Sequence, residues 1–446
     1  MQLVTIMRPS AAGTALFATL LTFLSFLPAQ AVTIERVISP GGIEAWLVAD
    51  DTVPLIAMNF SFDGGTVQDP DGKEGLTRLL TASLDEGAGE LTSAEYKARL
   101  EELAVSIGFS ADRDHLYGSL RTLTATRDDA FALLRLALTE PRFDETDMER
   151  NRARLIAGVR RQEQDPNALA GRAFVEALFG DHPYARRSGG TEDSLNALST
   201  DDIRAQMGRV MSKDSLVIGV VGAIDADTLA PLLDDIFGGL PATGDLTPVD
   251  DFEPVSGERI SLSLEIPQTS ILLGLPGLKR TDPDYQAAFV MNHILGGGSF
   301  TSWLYKEVRE KRGLSYSVGT SLGPYEHAGL LSGSAATRPD RAGQTVEIML
   351  AQLERMATDG PTLEELNGAK RFLTGSYALR FDTSGKIASQ LVALKNAGLG
   401  IDYFDRRNAE IEAVTLKDVT RVAQRLLKDV APTIVTIGPS GETATQ

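Results

Sequence analysis

The chain is written twice, and that repetition limits the folds open to it. "ATRDDA" (125–130) is answered by "ATRPDRA" (336–342), each ahead of an apolar helical run. "NRARLIAG" (151–158) is answered by "GAKRFLTG" (368–375), and "DPD" occurs at 69–71 and again at 282–284. "LVIGVVGAID" (216–225) and "PTIVTIGPS" (432–440) are β-branched strands near the close of each half. The common order and an offset of 211–217 residues point to duplication of a large unit, far longer than a solenoid repeat of roughly 20–50 residues.

Each copy opens with strands and continues with helices. "TIERVIS" (33–39), "IEAWLVAD" (43–50) and "PLIAMNFSF" (54–62) read as half-buried strands, with the turn at 41–42. "RISLSLEI" (259–266) and "SILLGLPG" (270–277) open the second copy. "SAEYKARLEELAVSIG" (93–108) predicts a helix with Ser93 as N-cap and Leu100, Leu103 and Ile107 on one face. Thr362 and Glu365 have capping-box spacing. Strand runs mixed with long helices predict an α+β fold of two tandem homologous domains. Each would be a mainly antiparallel sheet packed against helices, the pair facing each other as a clam-shell. The stretch 241–258, rich in proline and acids, reads as the linker between an N-terminal domain (32–240) and a C-terminal domain (259–446).

The first 31 residues carry one charge, Arg8, then an apolar run and "PAQA", which reads as a signal peptide cleaved after Ala31. Export to the periplasm, or secretion, is the expectation. A net charge of −18 disfavours nucleic acid and anionic membranes as partners. With no cysteine, thiolate ligands and a Cys nucleophile are excluded. The four histidines, His115, His182, His293 and His327, show no pair at ligand spacing and read as surface or hydrogen-bonding residues. In "ADRDH" (111–115), alternation predicts a strand with Asp112 and Asp114 on one face and His115 opposite. "GGGSF" (296–300) lacks a P-loop lysine and reads as a helix C-cap leading to a new N-cap.

Three motifs narrow the choice: "SWLYKEVREKRGLSYSVG" (302–319), "ILGGGSF" (294–300) and "DHPYARRSGGTEDSLNALSTDDI" (181–203). Together they resemble the pitrilysin/insulinase zinc peptidases over essentially the whole mature chain. In that family the first half bears H-x-x-E-H on a helix, two histidines holding zinc and a glutamate serving as base. Laid on "GLTRLLTASLDEG" (75–87), the frame puts Arg78 and Ala82 at the histidine positions and Thr81 at the base. A guanidinium, a hydroxyl and a methyl cannot replace them. The family's third ligand falls near Ala157 and Gly158, with Glu149 and Glu163 flanking. No metal is therefore expected in this chain, and Leu76, Leu79, Leu80 and Leu84 are expected to pack a purely structural helix, with Arg78 turned to solvent or to an acidic partner.

The resemblance also implies an arginine and a tyrosine seven residues apart that grip substrate and support the oxyanion. Arg309 and Tyr316 match that pair, with Arg312 as the alternative arginine. Gly329–Ser334 reads as a sheet edge where an extended peptide adds as a strand. These readings imply a non-catalytic, substrate-binding subunit of an exported heterodimeric zinc metallopeptidase. Its zinc would sit in a homologous H-x-x-E-H partner. The alternative is a structural or peptide-binding pseudo-peptidase with no role in proteolysis.

Overall fold

The computed structural model describes residues 33–439, so the leader expected at 1–31 lies outside the described residues. Strands β1 (Glu35–Ile38), β2 (Glu44–Ala49), β3 (Leu55–Asp63), β4 (Ser106–Ala111), β5 (His115–Leu123) and β6 (Val217–Gly222) form one sheet in the order β1-β2-β6-β3-β5-β4. Strands β7 (Arg259–Ser263), β8 (Thr269–Pro276), β9 (Ser315–Pro324), β10 (Gly329–Thr337) and β11 (Thr433–Gly438) form another in the order β7-β11-β8-β10-β9. Leaving out β1, the two orders coincide strand for strand. Each sheet holds one parallel pair, β2 with β6 and β7 with β11, and is otherwise antiparallel. A duplicated sequence requires this agreement, and the α+β expectation is met.

The last strand of each copy inserts into the middle of its sheet, which explains its unbroken apolar run. In β6 and β11 residues on both faces are buried, because helices cover both sides. One covering helix on each sheet comes from the other copy. The Pro166–Phe179 helix packs Phe174 and Leu178 against Val435 of the second sheet. Reciprocally, the Ser384–Asn396 helix packs Ala388, Leu391 and Leu394 against Trp46, Val48 and Val221 of the first. Glycine makes both approaches possible. A Cβ at Gly219 would meet the Ala388 carbonyl oxygen at 2.6 Å, and one at Gly274 would meet the Phe174 ring at 2.8 Å.

Several local expectations change. The first long helix runs Ser93–Glu102, capped by Thr92 rather than Ser93 in a reciprocal box with Glu95. It stops because Ala104 turns left-handed (φ 54°), and Ile107 then belongs to β4. Asp112–Asp114 form the β4–β5 turn rather than a strand; the Asp112 carboxylate accepts from the backbone N–H of Asp114 and His115 (2.9 and 2.8 Å). Gly329–Ser334 is not an edge, since β10 is paired with both β8 and β9; the edge is β9. Gly296 and Gly297 belong to a wide helical turn, His293–Gly297, and Gly298 joins it to the 3-10 turn Ser299–Thr301. The Thr362–Glu365 capping box forms as its spacing implies.

The stretch between the copies carries no strand or helix and is pinned to both of them. Thr247 N–H donates to Gln68 Oε1, Phe252 N–H to the His327 carbonyl and Val255 N–H to the Leu178 carbonyl, each at 2.8 Å.

Candidate functional site

The segment 75–87 forms a short helix, Leu76–Thr81, followed by turns. Leu76, Leu79, Leu80 and Leu84 are all buried in the first core. The helix start is capped from a distance: buried Asp69 accepts from Gly75 N–H (2.8 Å), Thr77 N–H (2.9 Å) and the Thr77 hydroxyl (2.5 Å). Burial pushes the Asp69 carboxyl up to about 6 against the pull of those bonds.

The three positions matched to the zinc motif are occupied otherwise. Arg78 is half-buried, and among the described residues it makes no ion pair with an acidic partner. Thr81 donates its hydroxyl to the Arg78 carbonyl (3.1 Å). Ala82 offers a carbonyl that accepts from the Asn151 amide at 2.7 Å. Asn151 comes from the Glu145–Gln162 helix, where the family's third ligand would stand, and it also bonds the Ser83 hydroxyl (3.1 Å). Of the flanking acids, Glu149 pairs with Arg152 (3.0 Å) and Glu163 with Arg187 (3.4 Å). A cation, a committed hydroxyl and a methyl do not fit a zinc ion.

Arg309 and Tyr316 are brought together. Arg309 lies in a second wide helical turn, Tyr305–Glu310, where the Lys311 N–H reaches back five residues to Lys306. One extra residue per turn aims Arg309 at the start of β9, a departure common at functional sites. Its Nη1 donates to the Tyr316 carbonyl (3.1 Å), and its guanidinium lies 4.9 Å from the Tyr305 ring centre and 5.5 Å from that of Tyr316. Glu307 is taken by Lys311 and Arg312 (both 2.6 Å), so Arg309 has no carboxylate partner among the described residues. Tyr316 is 83% exposed and Phe300, packed edge-on against Tyr305, is 69% exposed. Arg312 is neutralised; Arg309 is a free cation framed by aromatic rings.

A further cluster escaped the sequence reading. His115 and His327 are 212 residues apart, inside the repeat offset, and stand at the equivalent β4–β5 and β9–β10 turns. Those turns meet. Buried Asp114 accepts from the Tyr184 hydroxyl (2.5 Å) and from Glu326 N–H (3.2 Å), while the Tyr184 oxygen accepts from His327 N–H (3.0 Å). His115 Nε2 lies 3.6 Å from Asp63 and 3.9 Å from Glu326, and burial raises both of those carboxyl pKa values although His115 opposes it. Asp114, Glu326 and His327 hold ligand-type atoms within 4.8 Å of one another, but the carboxylate oxygens of Asp114 already serve as acceptors in a clasp between the copies. The offset marks the two turns as equivalent but does not say that they meet. The other two histidines are also structural: His182 bonds the Asp250 carbonyl (3.0 Å), and His293 stacks on Phe372 with ring centres 5.0 Å apart.

Residues 197–373 match the family model "Peptidase M16 inactive domain", a span that contains Arg309 and Tyr316. The chain is 27% identical over 372 residues to "Non-peptidase homolog YmxG" of Helicobacter pylori, covering 82% of this chain and 85% of that one. It is 25% identical over 417 residues to "Uncharacterized zinc protease YmxG" of Bacillus subtilis, covering 92% and 99%. Among solved structures, a peptidase M16 inactive domain from Pseudomonas fluorescens has a TM-score of 0.86 at 27% identity, covering 93% of this chain and all of that one. A protease from Helicobacter pylori shares the fold, with a TM-score of 0.82 at 18% identity over 92% of this chain and all of that one. Together these matches support a non-catalytic member of the M16 peptidase family. Among the described residues no helix is long and apolar enough to cross a membrane.

Proposed function

We propose that this chain is the substrate-binding subunit of an exported, heterodimeric zinc metallopeptidase, lending Arg309 and Tyr316 to a zinc site carried by a homologous partner. The observation that carries this reading is the state of the pair. Arg309 is preorganised by a carbonyl and two rings, its charge is not matched by a carboxylate, and Tyr316 stands in solvent. Such donors stabilise a developing oxyanion best in a dry site, and a second chain closing over them would supply that dryness. The zinc-motif positions support the division of labour, since their donors cannot hold the ion. A periplasmic location is part of this proposal and rests on the signal peptide expected at 1–31.

The test is reconstitution with a zinc-bearing homologue. In the pair, Arg309→Ala combined with Tyr316→Phe should lower kcat/KM for peptide cleavage by roughly 100-fold or more, with the complex intact by size-exclusion chromatography. Unchanged cleavage would favour a pseudo-peptidase that serves only assembly or peptide holding. Zinc-dependent cleavage by the chain alone would refute both readings.

A further inference from the structure

The two copies close around a cavity of about 700 Å³, within the range of small-molecule sites. Three arginines that repel one another, Arg280, Arg380 and Arg407, line it. None has a carboxylate within 4.0 Å among the described residues. The nearby acids are used elsewhere: Asp402 and Glu410 both pair with Arg406, the neighbour of Arg407. Arg407 is only 5% exposed, lies 3.9 Å over the Tyr377 ring and donates to the Leu373 carbonyl (3.2 Å) and Asn408 Oδ1 (2.9 Å). Arg280 sits between the rings of Tyr285 (4.3 Å) and Tyr403 (5.1 Å). Arg380 has no side-chain hydrogen bond or ion pair among the described residues and is exposed. Burial, and then repulsion from Arg380 and Arg280, pull the Arg407 pKa down while the two tyrosines oppose them. A buried cation without a counter-ion is costly, and Arg407, with the charges of Arg280 and Arg380 beside it, calls for an anion from outside the chain.

Groups of the other sign line the cavity as well. Asp112, Asp114 and Glu326, from the clasp described above, line the same cavity. Rings and aliphatic side chains, among them Phe289 and Leu394, lie on the wall as well. Guanidinium forks match planar carboxylates, and carboxylates match an ammonium. A phosphate ion would use only the arginines of such a space. We propose that this cavity binds a short zwitterionic peptide, its terminal carboxylate against Arg280, Arg380 and Arg407 and its amine toward the acidic groups. The site is separate from Arg309 and Tyr316, and the cavity residues all come from this chain.

Isothermal titration calorimetry on the purified chain, without any partner, reads the site directly. The tripeptide Gly-Phe-Ala should bind. Its C-terminally amidated form, and the Arg380→Gln variant with the free peptide, should each bind at least about tenfold more weakly, the loss expected for one charge-assisted contact. N-acetylation should weaken binding as well. Should Arg407→Gln fail to fold, Arg280→Gln joins Arg380→Gln, whose side chain holds nothing in place. No binding at millimolar peptide, equal binding of the amidated form, or inorganic phosphate binding as tightly as the tripeptide would each overturn the proposal. Because the readout is binding by one chain, its failure is distinct from failure of the shared-site reading, which is measured as cleavage by a pair.

Discussion

Asp69 shows how one side chain can carry a whole junction. It caps the Leu76–Thr81 helix through three donors while shielded from water, and its pKa stands near 6. A folded-state pKa raised above the unfolded value means stability that is full in acid and is lost as pH rises through the folded value. The rise corresponds to about 3 kcal/mol. Asp69→Asn keeps one acceptor and cannot titrate. In urea denaturation, the natural chain should therefore lose stability relative to Asp69→Asn between about pH 4 and about pH 6.5. Parallel curves would contradict the assignment. The equivalent "DPD" at 282–284 has gone another way: Asp282 and Asp284 bind Arg425 and Arg421 at the surface, and those cations draw the Asp284 carboxyl below its usual range although desolvation opposes them. One motif has kept its place in both copies and changed its chemistry.

At the scale of elements, the two exchanged helices depend on the smallest side chain beneath them. Gly219→Val would drive a methyl group into the Ala388 carbonyl, where 2.6 Å is available to a Cβ, and backbone cannot yield as a side chain tip does. The expected loss is roughly 3 kcal/mol or more, read as a lower midpoint in chemical denaturation. Thr362→Ala, which removes a cap that bonds Glu365 N–H at 3.2 Å, should cost only about 1 kcal/mol. The capping box at 362–365 was legible because both partners lie within one turn. The end of the Ser93–Glu102 helix was not, because the left-handed Ala104 leaves no mark in composition. Likewise β10 read as an edge, since its own residues cannot say that β9 pairs on its far side.

For the molecule as a whole, the exchange of helices makes each copy incomplete without the other. Residues of each half cover a sheet face of its sister: Phe174 and Leu178 in one direction, Ala388 and Leu391 in the other. Calorimetry should accordingly show one cooperative unfolding transition, and 33–240 expressed alone should expose Trp46 and Val48 and bind a hydrophobic dye. Two independent transitions would mean that the exchanged contacts are weak. The clasp of Asp114, Tyr184, Glu326 and His327 lies on the same seam, so a Tyr184→Phe change, which leaves buried Asp114 short of a donor, should destabilise both copies together by about 1–3 kcal/mol.

By itself the sequence determined the repeat, the α+β class and the incapacity of Arg78, Thr81 and Ala82 to hold zinc. All of these follow from local order and from what each side chain can donate. It also supplied the spacing of Arg309 and Tyr316. Only the tertiary structure decided which cations are free. Glu307 chooses Arg312 over Arg309, and Asp402 and Glu410 choose Arg406 over Arg407, through helix geometry and burial that no linear pattern encodes. The meeting of turns 212 residues apart was likewise fixed by packing, since long-range neighbours are set by which faces must be covered.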